Sequence, residues 1–351
     1  MSPLLEVRGL CKEFPIRSSF LRRRLGAVAA VADVDLDIAA SETVALVGES
    51  GSGKSTLGRM IVRLIEPTSG EIRFRGDDLL ALPARELRRA RRHFQVVFQD
   101  PYGSLNPRMR IGDALLEPLL VHGLVPGRGR QGRADRAERL AAMLTEVGMP
   151  TEAASRYPHE FSGGQRQRIG IARALASQPD FLMADEPVSA LDLSVRAQIV
   201  NLLANLQRDR GIAMLFIAHD LALVEQIADR IAVLYLGRIV EEGPAAALLG
   251  EPLHPYTASL IAAVPRVRAA GDLPLRRAPA GEPPSASDPP PGCPFHPRCA
   301  AAGERCRTER PLLMGSGPLR RVACHYPGEA AAIQTSAAGG GTFLWNGRRE
   351  L

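Results

Sequence analysis

The sequence predicts an α/β fold in which helices cover both faces of a mostly parallel sheet. Three short apolar runs carry this prediction: Thr43–Val47, Phe181–Ala184 and Ala213–Ala218. Unbroken runs of this length are typical of strands that are buried on both faces of a parallel sheet. Helical patterns separate the runs, and the first run leads directly into a glycine-rich loop and an amphipathic segment. That order is the one in which a phosphate-binding loop occurs.

The other elements follow from the spacing of apolar residues along the chain. Leu4–Phe14 and Val31–Ile38 alternate polar and apolar side chains, which predicts two strands before the first buried run. Helical patterns follow, and those in the middle of the chain mark residues 103–177 as a candidate helical subdomain. The predicted helices are Ser55–Leu64, Pro83–Arg92, Ile111–Val121, Arg133–Val147 and Ser194–Arg210.

The composition changes after about residue 265. Residues 271–292 are rich in proline, glycine, alanine and serine, which predicts an irregular linker. Residues 293–327 follow and contain four of the five cysteines. The last stretch, residues 328–351, is small and polar, and we expect it to be disordered.

Bulk properties place the chain among soluble globular proteins. Its 351 residues are enough for a domain of about 250 residues and an appendage. The hydrophobic content is 45% and the mean hydropathy is −0.05. No apolar run approaches the ~18 residues of a membrane span, and the first residues lack the pattern of an export signal. We therefore expect a cytosolic location.

The net charge of +6 comes almost wholly from arginine, because the chain has only two lysines, Lys12 and Lys54. A basic chain is compatible with nucleic acid or an anionic lipid surface as a partner. An arginine-biased composition with solvated helix faces explains the charge without either, and we expect no nucleic-acid partner. A lysine at position 54 of so arginine-rich a chain indicates a site where a planar guanidinium would not fit.

The glycine-rich loop matches the pattern G-x4-G-K-[ST] in full. Its glycines let successive backbone N–H groups point at a phosphate, and the following helix N-terminus adds partial positive charge. Lys54 supplies a point charge between the β- and γ-phosphates, and Ser55 Oγ is a ligand for Mg²⁺. The predicted nucleotide-binding residues of this segment are Gly48, Glu49, Ser50, Gly51, Ser52, Gly53, Lys54, Ser55 and Thr56.

Two carboxylates, Asp185 and Glu186, stand at the end of the second buried strand. Asp185 is placed to hold Mg²⁺ through water, and Glu186 to polarise the attacking water as general base. His219 follows the third buried strand, where it would face the same crevice, contact the γ-phosphate and orient the water. A lone histidine is more often structural, so the assignment of His219 depends on the other motifs.

Taken in this order, the motifs resemble those of the ATP-binding-cassette (ABC) ATPases over residues 4–245. In that family a glutamine ends a strand, senses the γ-phosphate and Mg²⁺, and contacts the membrane partner; Gln99 stands at that position. The family also has an aromatic residue that stacks on adenine, and Phe14 stands there. A phenylalanine of the core is the alternative for Phe14.

A second group of motifs resembles the parts of that family that act between subunits. The family signature, which binds the γ-phosphate of the opposite subunit, is similar to Ser162, Gly163, Gly164 and Gln165. Phe161 stands where leucine is commoner. Serine and glycine N–H groups before a helix that begins near Gln165 form an anion-binding helix end. Asp192 closes Ser189–Asp192, which resembles the loop that communicates between the two sites.

A narrower resemblance covers most of the chain. Three segments look like those of the ATPase subunits of bacterial oligopeptide/dipeptide importers: Gln99–Arg108, Arg156–Phe161 and His254–Thr257. Those importers use two related but different ATPases. Phe161 and Ser104–Pro107 resemble the second of the pair.

The resemblance implies the architecture of a P-loop NTPase of the ABC cassette type. Such a cassette has a RecA-like parallel core, an antiparallel β subdomain and a helical subdomain that carries the signature. A small cysteine-containing C-terminal extension would follow. The implied boundaries are residues 1–250 for the ATP-binding domain, 251–327 for the importer-type C-terminal domain and 328–351 for the disordered tail.

The implied function is that of an ATP-hydrolysing motor, which uses ATP and Mg²⁺ in a two-cassette sandwich to drive uptake of di- and oligopeptides. Its implied partners are a second related ATPase subunit, two transmembrane permease subunits and an external solute-binding protein. It would lie peripherally on the cytoplasmic face of the bacterial inner membrane. The alternatives are import of another solute, such as nickel or glutathione, and a soluble ABC ATPase that acts on nucleic acid. A single cassette without a long heptad insertion disfavours the last.

Four cysteines cluster near the end of the chain: Cys293, Cys299, Cys306 and Cys324. Disulfides are not expected among them in a cytosolic protein. Thiolates suit zinc and iron–sulfur clusters equally, and these spacings match neither zinc knuckles nor ferredoxins. Cys293–Cys299 looks like the C-terminal segment of the importer ATPases, where four cysteines hold a [4Fe–4S] cluster. The resemblance implies that cluster here, with Zn²⁺ or no metal as alternatives.

Overall fold

The computed structural model describes residues 2–17, 24–100, 103–125, 130–264 and 281–328. The strands of these residues are β1 Leu5–Arg17, β2 Arg24–Ile38, β3 Thr43–Val47, β4 Ser69–Phe74, β5 Asp77–Asp78, β6 Phe94–Val97, β7 Phe181–Asp185, β8 Ala213–Ala218, β9 Arg230–Tyr235, β10 Arg238–Pro244, β11 Met314–Gly315 and β12 Arg321–Val322. The helices are α1 Lys54–Ile61, α2 Ala84–Ala90, α3 Ile111–Val121, α4 Arg130–Glu146, α5 Gly163–Leu175, α6 Leu193–Arg210, α7 Leu221–Ile227, α8 Ala245–Gly250, α9 Pro255–Ala263 and α10 Glu304–Thr308. None of the described helices is long and apolar enough to cross a membrane.

The chain divides into two compact units, each assembled from separated segments. Unit 1 comprises Met1–Leu10, Asp35–Val44 and Ser55–Ala218. Unit 2 comprises Cys11–Val34, Ala45–Lys54 and His219–Leu351.

Unit 1 contains the parallel strands and the central helices. β6, β7 and β8 lie side by side in that order, with Phe94 opposite Phe181 and Asp185 opposite Ile217. Every residue of β7 and β8 is buried, which confirms the parallel strands predicted from the apolar runs. α3, α4 and α5, which lie within residues 103–177, pack against one another.

Helix α1 is shorter than predicted, because it ends at Ile61 rather than at Leu64. Arg63 has a φ of 49°, a left-handed conformation that stops an α-helix. Its guanidinium donates to the carbonyls of Leu79 and Leu82, both at 2.7 Å. These bonds anchor a turn that apolar spacing alone does not reveal.

Unit 2 joins the C-terminal residues to an antiparallel ladder. β10 pairs with β9, and the register shifts between Ile239 and Glu241. β12 adds to β10 with Glu241 opposite Val322, and β11 adds to β12. Residues 281–292 contain neither helix nor strand, as predicted for the linker, whereas residues 271–280 lie outside the described part of the chain. Of the tail predicted to be disordered, residues 328–351, only Gly328 lies within the described part, and its N–H donates to Leu253 O at 2.9 Å.

A buried carboxylate organises the entry into helix α9. Glu241 is fully buried and accepts hydrogen bonds from the backbone N–H groups of Leu253 and His254, both at 2.9 Å. Arg320 forms an ion pair with the same carboxylate at 3.0 Å. His254 Nδ1 then accepts the N–H of Tyr256 at 3.0 Å, which caps the helix. Glu241 therefore positions His254 directly and Tyr256 through His254.

We expect the free energy of unfolding to decrease as the pH is lowered, because of His254. Burial lowers the pKa of His254 from 6.5 to about 3, so the unfolded chain binds a proton that the folded chain does not. The stability present above pH 6.5 is therefore lost at about 1.4 kcal/mol per pH unit as pH falls towards 3. His254→Asn keeps an acceptor at the helix cap and removes the titration. Urea unfolding across this range should show a shallower pH dependence for the variant.

The exposed His159 provides the matched control for this comparison. His159→Asn should keep the pH dependence of the wild-type protein. Equal slopes for wild type and His254→Asn would contradict the account of His254 as a buried neutral base.

Candidate functional site

The phosphate loop of unit 2 closes around a buried ammonium group. Lys54 is 4% exposed, and its Nζ donates to the carbonyls of Gly48 and Glu49 at 2.8 and 2.9 Å. Both acceptors belong to the loop itself, which therefore wraps its own lysine. Because the Lys54 side chain is already fixed, its charge can bind a phosphate without further ordering of the side chain.

Two glycines allow this wrap because no side chain would fit. A Cβ on Gly48, at φ 154°, would lie 2.2 Å from the carbonyl oxygen of Leu234, and a Cβ on Gly53, at φ 105°, 2.2 Å from that of Ala30. Gly51, at φ 79°, faces open space, since nothing lies within 4 Å of its Cβ position. Steric closure on one side and open space on the other fit a cradle for a polyphosphate.

One buried polar atom of the loop remains for a ligand. Within the described residues, Ser52 Oγ is buried and has no hydrogen-bond partner. A buried hydroxyl without a partner costs about 1–3 kcal/mol, so its retention points to a ligand. The donor set and the cradle fit ATP.

Unit 1 holds the predicted magnesium ligands against each other. Ser55 Oγ donates to Asp185 Oδ1 at 2.7 Å, and the Asp185 side chain is 1% exposed. Arg59 Nη2 contacts the second carboxylate oxygen at 3.3 Å. Hydroxyl and carboxylate oxygens are the ligand type that Mg²⁺ prefers, so this pair fits the ion.

Arg59 is a site residue that the sequence analysis missed. It stands one helical turn after Ser55 on α1, and residues four apart share a helix face. That spacing was a usable signal, but the partner on β7 is 126 residues away in the chain and could not be inferred from α1 alone.

Glu186 and Gln99 come together at the end of the parallel strands. Gln99 Nε2 donates to Glu186 Oε2 at 3.1 Å. Glu186 has a φ of 45°, a left-handed conformation that is uncommon for a residue other than glycine. Its N–H donates to Ile217 O at 3.1 Å, and its carbonyl accepts from Ser189 Oγ at 3.2 Å. The hydrogen bonds to Ile217 and Ser189 hold this strained backbone in place, which fits a carboxylate that must keep one direction.

The signature segment forms a capped and open helix end in unit 1. Ser162 Oγ accepts the N–H of Gln165 at 3.3 Å, and Gln165 Oε1 accepts the N–H of Ser162 at 3.0 Å. This reciprocal capping box starts α5 at Gly163, two residues before the predicted start near Gln165. Ser162 is exposed, so the positive end of the helix faces solvent.

The loop Ser189–Asp192 is held by an arginine that the sequence analysis also missed. Arg196 donates from Nε to Leu191 O at 2.7 Å and from Nη2 to Ser189 O at 3.2 Å. Asp192 is exposed, and its carbonyl accepts the N–H of Arg196 at the start of α6. The Asp192 side chain makes no cap hydrogen bond to α6.

Two predicted residues of unit 2 lie on the surface. Phe14 is 41% exposed, which argues against the alternative of a core phenylalanine, and Lys12 Nζ lies 5.2 Å from its ring centroid. His219 directly follows β8 and is exposed. Both positions leave the rings accessible to a ligand.

The four clustered cysteines line one cavity with Phe295 and His325, among other residues. Burial raises the pKa of the Cys293 and Cys324 thiols to about 11, so without a metal both are protonated. Across the described residues, no group of three or more His, Cys, Asp or Glu side chains has the arrangement of a metal site. The structure therefore places the four cysteines around one cavity but shows no metal site among the residues it describes.

Comparison with known proteins finds matches over most of the chain. The family model for ABC transporters matches residues 31–189, and the model for the oligopeptide/dipeptide transporter C-terminal region matches residues 240–306. A probable peptide ABC transporter ATP-binding protein of Sinorhizobium fredii is 51% identical over 336 residues, which cover 95% of this chain and 92% of that protein. A putative peptide import ATP-binding protein of Brucella ovis is 50% identical over 325 residues, with 92% and 98% covered.

Two further comparisons extend this set. The glutathione import ATP-binding protein of Escherichia coli is 55% identical over 274 residues, which cover 78% of this chain and 43% of that protein. Among solved structures, a dimeric ATP-binding cassette in a post-hydrolysis state with ADP and Pi has a TM-score of 0.59 and 29% identity, with 69% of this chain and 98% of that chain covered. These likenesses confirm the predicted fold class.

The signature helix gives a packing prediction. A Cβ on Gly164 would lie 2.5 Å from Val195 Cγ1, whereas one on Gly163 would meet its nearest neighbour at 3.3 Å. Gly164→Ala should therefore destabilise the protein by about 1–3 kcal/mol, because α5 and α6 must move apart. Val195→Ala should remove most of that penalty in the double variant. Urea unfolding of the single and double variants measures the coupling.

Gly163→Ala is the matched control and should cost clearly less than Gly164→Ala. Additive effects of Gly164→Ala and Val195→Ala would contradict the close contact between the two helices.

Proposed function

The chain belongs to the ATP-binding proteins of ABC transporters, of the oligopeptide/dipeptide type, and from this premise we propose that it is the ATP-hydrolysing subunit of a peptide importer. The observation that carries the proposal is the 51% identity to a peptide transporter ATP-binding protein over 95% of the chain. The motifs of nucleotide hydrolysis all lie within that match. Hydrolysis would drive transport through membrane subunits that are separate chains.

The chain's own residues supply the nucleotide chemistry in this proposal. Lys54 holds the β- and γ-phosphates, and the loop N–H groups follow the phosphate chain. Ser55, Asp185 and Gln99 are the residues that would hold Mg²⁺, which neutralises phosphate charge when bound. Phe14 stacks on the adenine.

Glu186 acts as the general base. It accepts a proton from the water whose oxygen bonds to the γ-phosphorus, while the bond from that phosphorus to the β-phosphate oxygen breaks and ADP leaves. Gln99 supports this role, because its amide donates to Glu186 Oε2 at 3.1 Å and fixes the carboxylate. His219 contacts the γ-phosphate and orients the water.

The signature serves a second subunit in this proposal. The N–H groups of Gly163 and Gly164 and the Ser162 hydroxyl lie at an exposed helix N-terminus, which suits the γ-phosphate of a facing cassette. Asp192 and its loop connect the two nucleotide sites. The dimeric form of the similar ADP-bound cassette supports a two-cassette assembly.

A groove in unit 1 supports contact with a membrane subunit. Leu64 and Phe98 line it and are 47% and 39% exposed, next to Pro118 and Gln167. Apolar side chains that form a patch rimmed by polar residues mark protein contact sites. Phe98 directly precedes Gln99, so a partner in the groove would act on the glutamine that holds Glu186. We propose two permease subunits, a second ATPase and an external binding protein as the complete assembly, peripheral to the cytoplasmic face of the membrane.

Glutathione is the second candidate solute, because the Escherichia coli glutathione import ATP-binding protein is 55% identical over 274 residues. Glutathione is itself a small peptide, so it belongs to the same chemical class of solute. Uptake of labelled dipeptide and of labelled glutathione by vesicles that contain the complete importer separates the two.

The cysteine cavity supports a finer proposal, that the four thiols take up a soft metal as a [4Fe–4S] cluster or as Zn²⁺. Its support is the donor set, since thiolates select iron–sulfur clusters and zinc, and the shared cavity of the four side chains. Anaerobically purified protein should contain iron and sulfide with visible absorption, or one zinc per chain. Protein free of iron and zinc, with four titratable thiols, would contradict it.

Glu186→Gln tests the catalytic proposal. The amide keeps the shape of the side chain but cannot accept a proton, so turnover of MgATP should fall by about 10²–10⁴-fold. Binding of ATP and pairing of cassettes should persist, because neither needs the base. Phosphate release and equilibrium nucleotide binding measure the two effects.

Glu138, exposed on α4, provides the control, and Glu138→Gln should hydrolyse ATP like the wild type. Normal turnover by Glu186→Gln would rule out Glu186 as the base. Failure of the wild-type protein to bind MgATP would contradict the proposed function as a whole.

A further inference from the structure

One residue of the phosphate loop, Glu49, is held at three points. Its N–H donates to the hydroxyl of Tyr256 at 2.7 Å, and its carbonyl accepts from Lys54 Nζ at 2.9 Å. Its carboxylate accepts both terminal nitrogens of Arg298, at 2.8 and 3.0 Å. Two of these three anchors come from the C-terminal part of the chain.

The ion pair between Glu49 and Arg298 has the geometry of a strong contact. It is bidentate, with two parallel N–H···O bonds, and such pairs fix orientation as well as charge. The Arg298 side chain is 6% exposed and that of Glu49 is 25% exposed, so solvent screens the pair less than a surface salt bridge. Arg298 directly precedes Cys299 and therefore belongs to the cysteine segment, residues 293–327.

An aromatic cluster holds the part of the cysteine segment that carries Arg298. Phe295 packs against Tyr235 and Tyr256 with ring centroids 5.4 Å from each, and the two tyrosine rings lie 4.6 Å apart. All three side chains are buried. Ring contacts at these separations add to the stabilisation that comes from buried apolar area. They therefore hold the Phe295–Arg298 turn in place.

The second anchor is set by the same part of unit 2. Tyr256 sits at the start of α9, where His254 caps its N–H and Glu241 holds the backbone of His254. Arg320, near the end of the cysteine segment, pairs with Glu241 at 3.0 Å. The contacts of Glu49 with Tyr256 and with Arg298 therefore both depend on the C-terminal residues.

We propose that Arg298 is a positioning residue for the phosphate loop, through which the cysteine segment sets the affinity of the loop for ATP. The inference rests on the proposed function. An unpaired carboxylate in this loop would repel the polyphosphate, and Arg298 neutralises it. The same contact holds the residue whose carbonyl, with that of Gly48, fixes Lys54.

Equilibrium binding of MgATP to the full-length protein tests the inference. Arg298→Ala should raise the Kd for MgATP by about 5- to 150-fold. Adding Glu49→Gln to that variant should recover much of the loss, because it removes the stranded negative charge. In turnover measurements KM should rise while kcat at saturating ATP stays nearly unchanged, as expected for a residue that acts on binding.

Arg305 provides the matched control within the cysteine segment, because its ion pair with Glu309 is exposed. Arg305→Ala should bind MgATP like the wild type. If Arg298→Ala does not fold, Arg298→Lys keeps the charge without the bidentate fork, and it should show a smaller rise in Kd.

Each result decides the question. Wild-type affinity in folded Arg298→Ala or Arg298→Lys overturns the inference, and so does a double variant as weak as Arg298→Ala. A wild-type protein that does not bind MgATP overturns the proposed function instead, which separates the two failures.

Discussion

The candidate site depends on the buried ammonium group of Lys54. Two backbone carbonyls of its own loop, at Gly48 and Glu49, compensate that charge at 2.8 and 2.9 Å. A buried charge that loses its hydrogen-bond partners is destabilised, so these two carbonyls favour the closed form of the loop. The glycine at position 48 is required because any Cβ there would collide with Leu234 O. A loop that is closed before nucleotide arrives is preorganised for phosphate.

Nearby polar groups also compensate the acidic residues of unit 1. The carboxylate of Asp185 is 1% exposed and is compensated by Ser55 and Arg59. Glu186, the next residue, is held in a left-handed conformation and is bonded by Gln99. Each charge is thus satisfied by nearby groups within its own unit. The fixed side chains leave little to reorganise when a nucleotide binds, which is the main route to electrostatic catalysis.

The sequence predicted what depends on short segments and missed what depends on distant ones. The buried strands, the central helices and the loop, signature and carboxylate motifs each follow from local pattern. Arg59 and Arg196 lie one turn from predicted residues, yet their partners come from other elements. The pair of Arg298 with Glu49 joins residues 249 positions apart, and no periodicity encodes such a contact. The cysteine spacing likewise could not decide between metal and packed thiols.

We propose that this chain contributes to two nucleotide sites, with Lys54 and Glu186 serving its own ATP and Ser162 serving that of a facing cassette. The most direct test is ATP turnover per chain as a function of protein concentration. A composite site predicts turnover that rises with concentration and saturates once cassettes are paired, and that rises further when the cognate ATPase is added. Constant turnover per chain at concentrations where light scattering shows only monomers would contradict it.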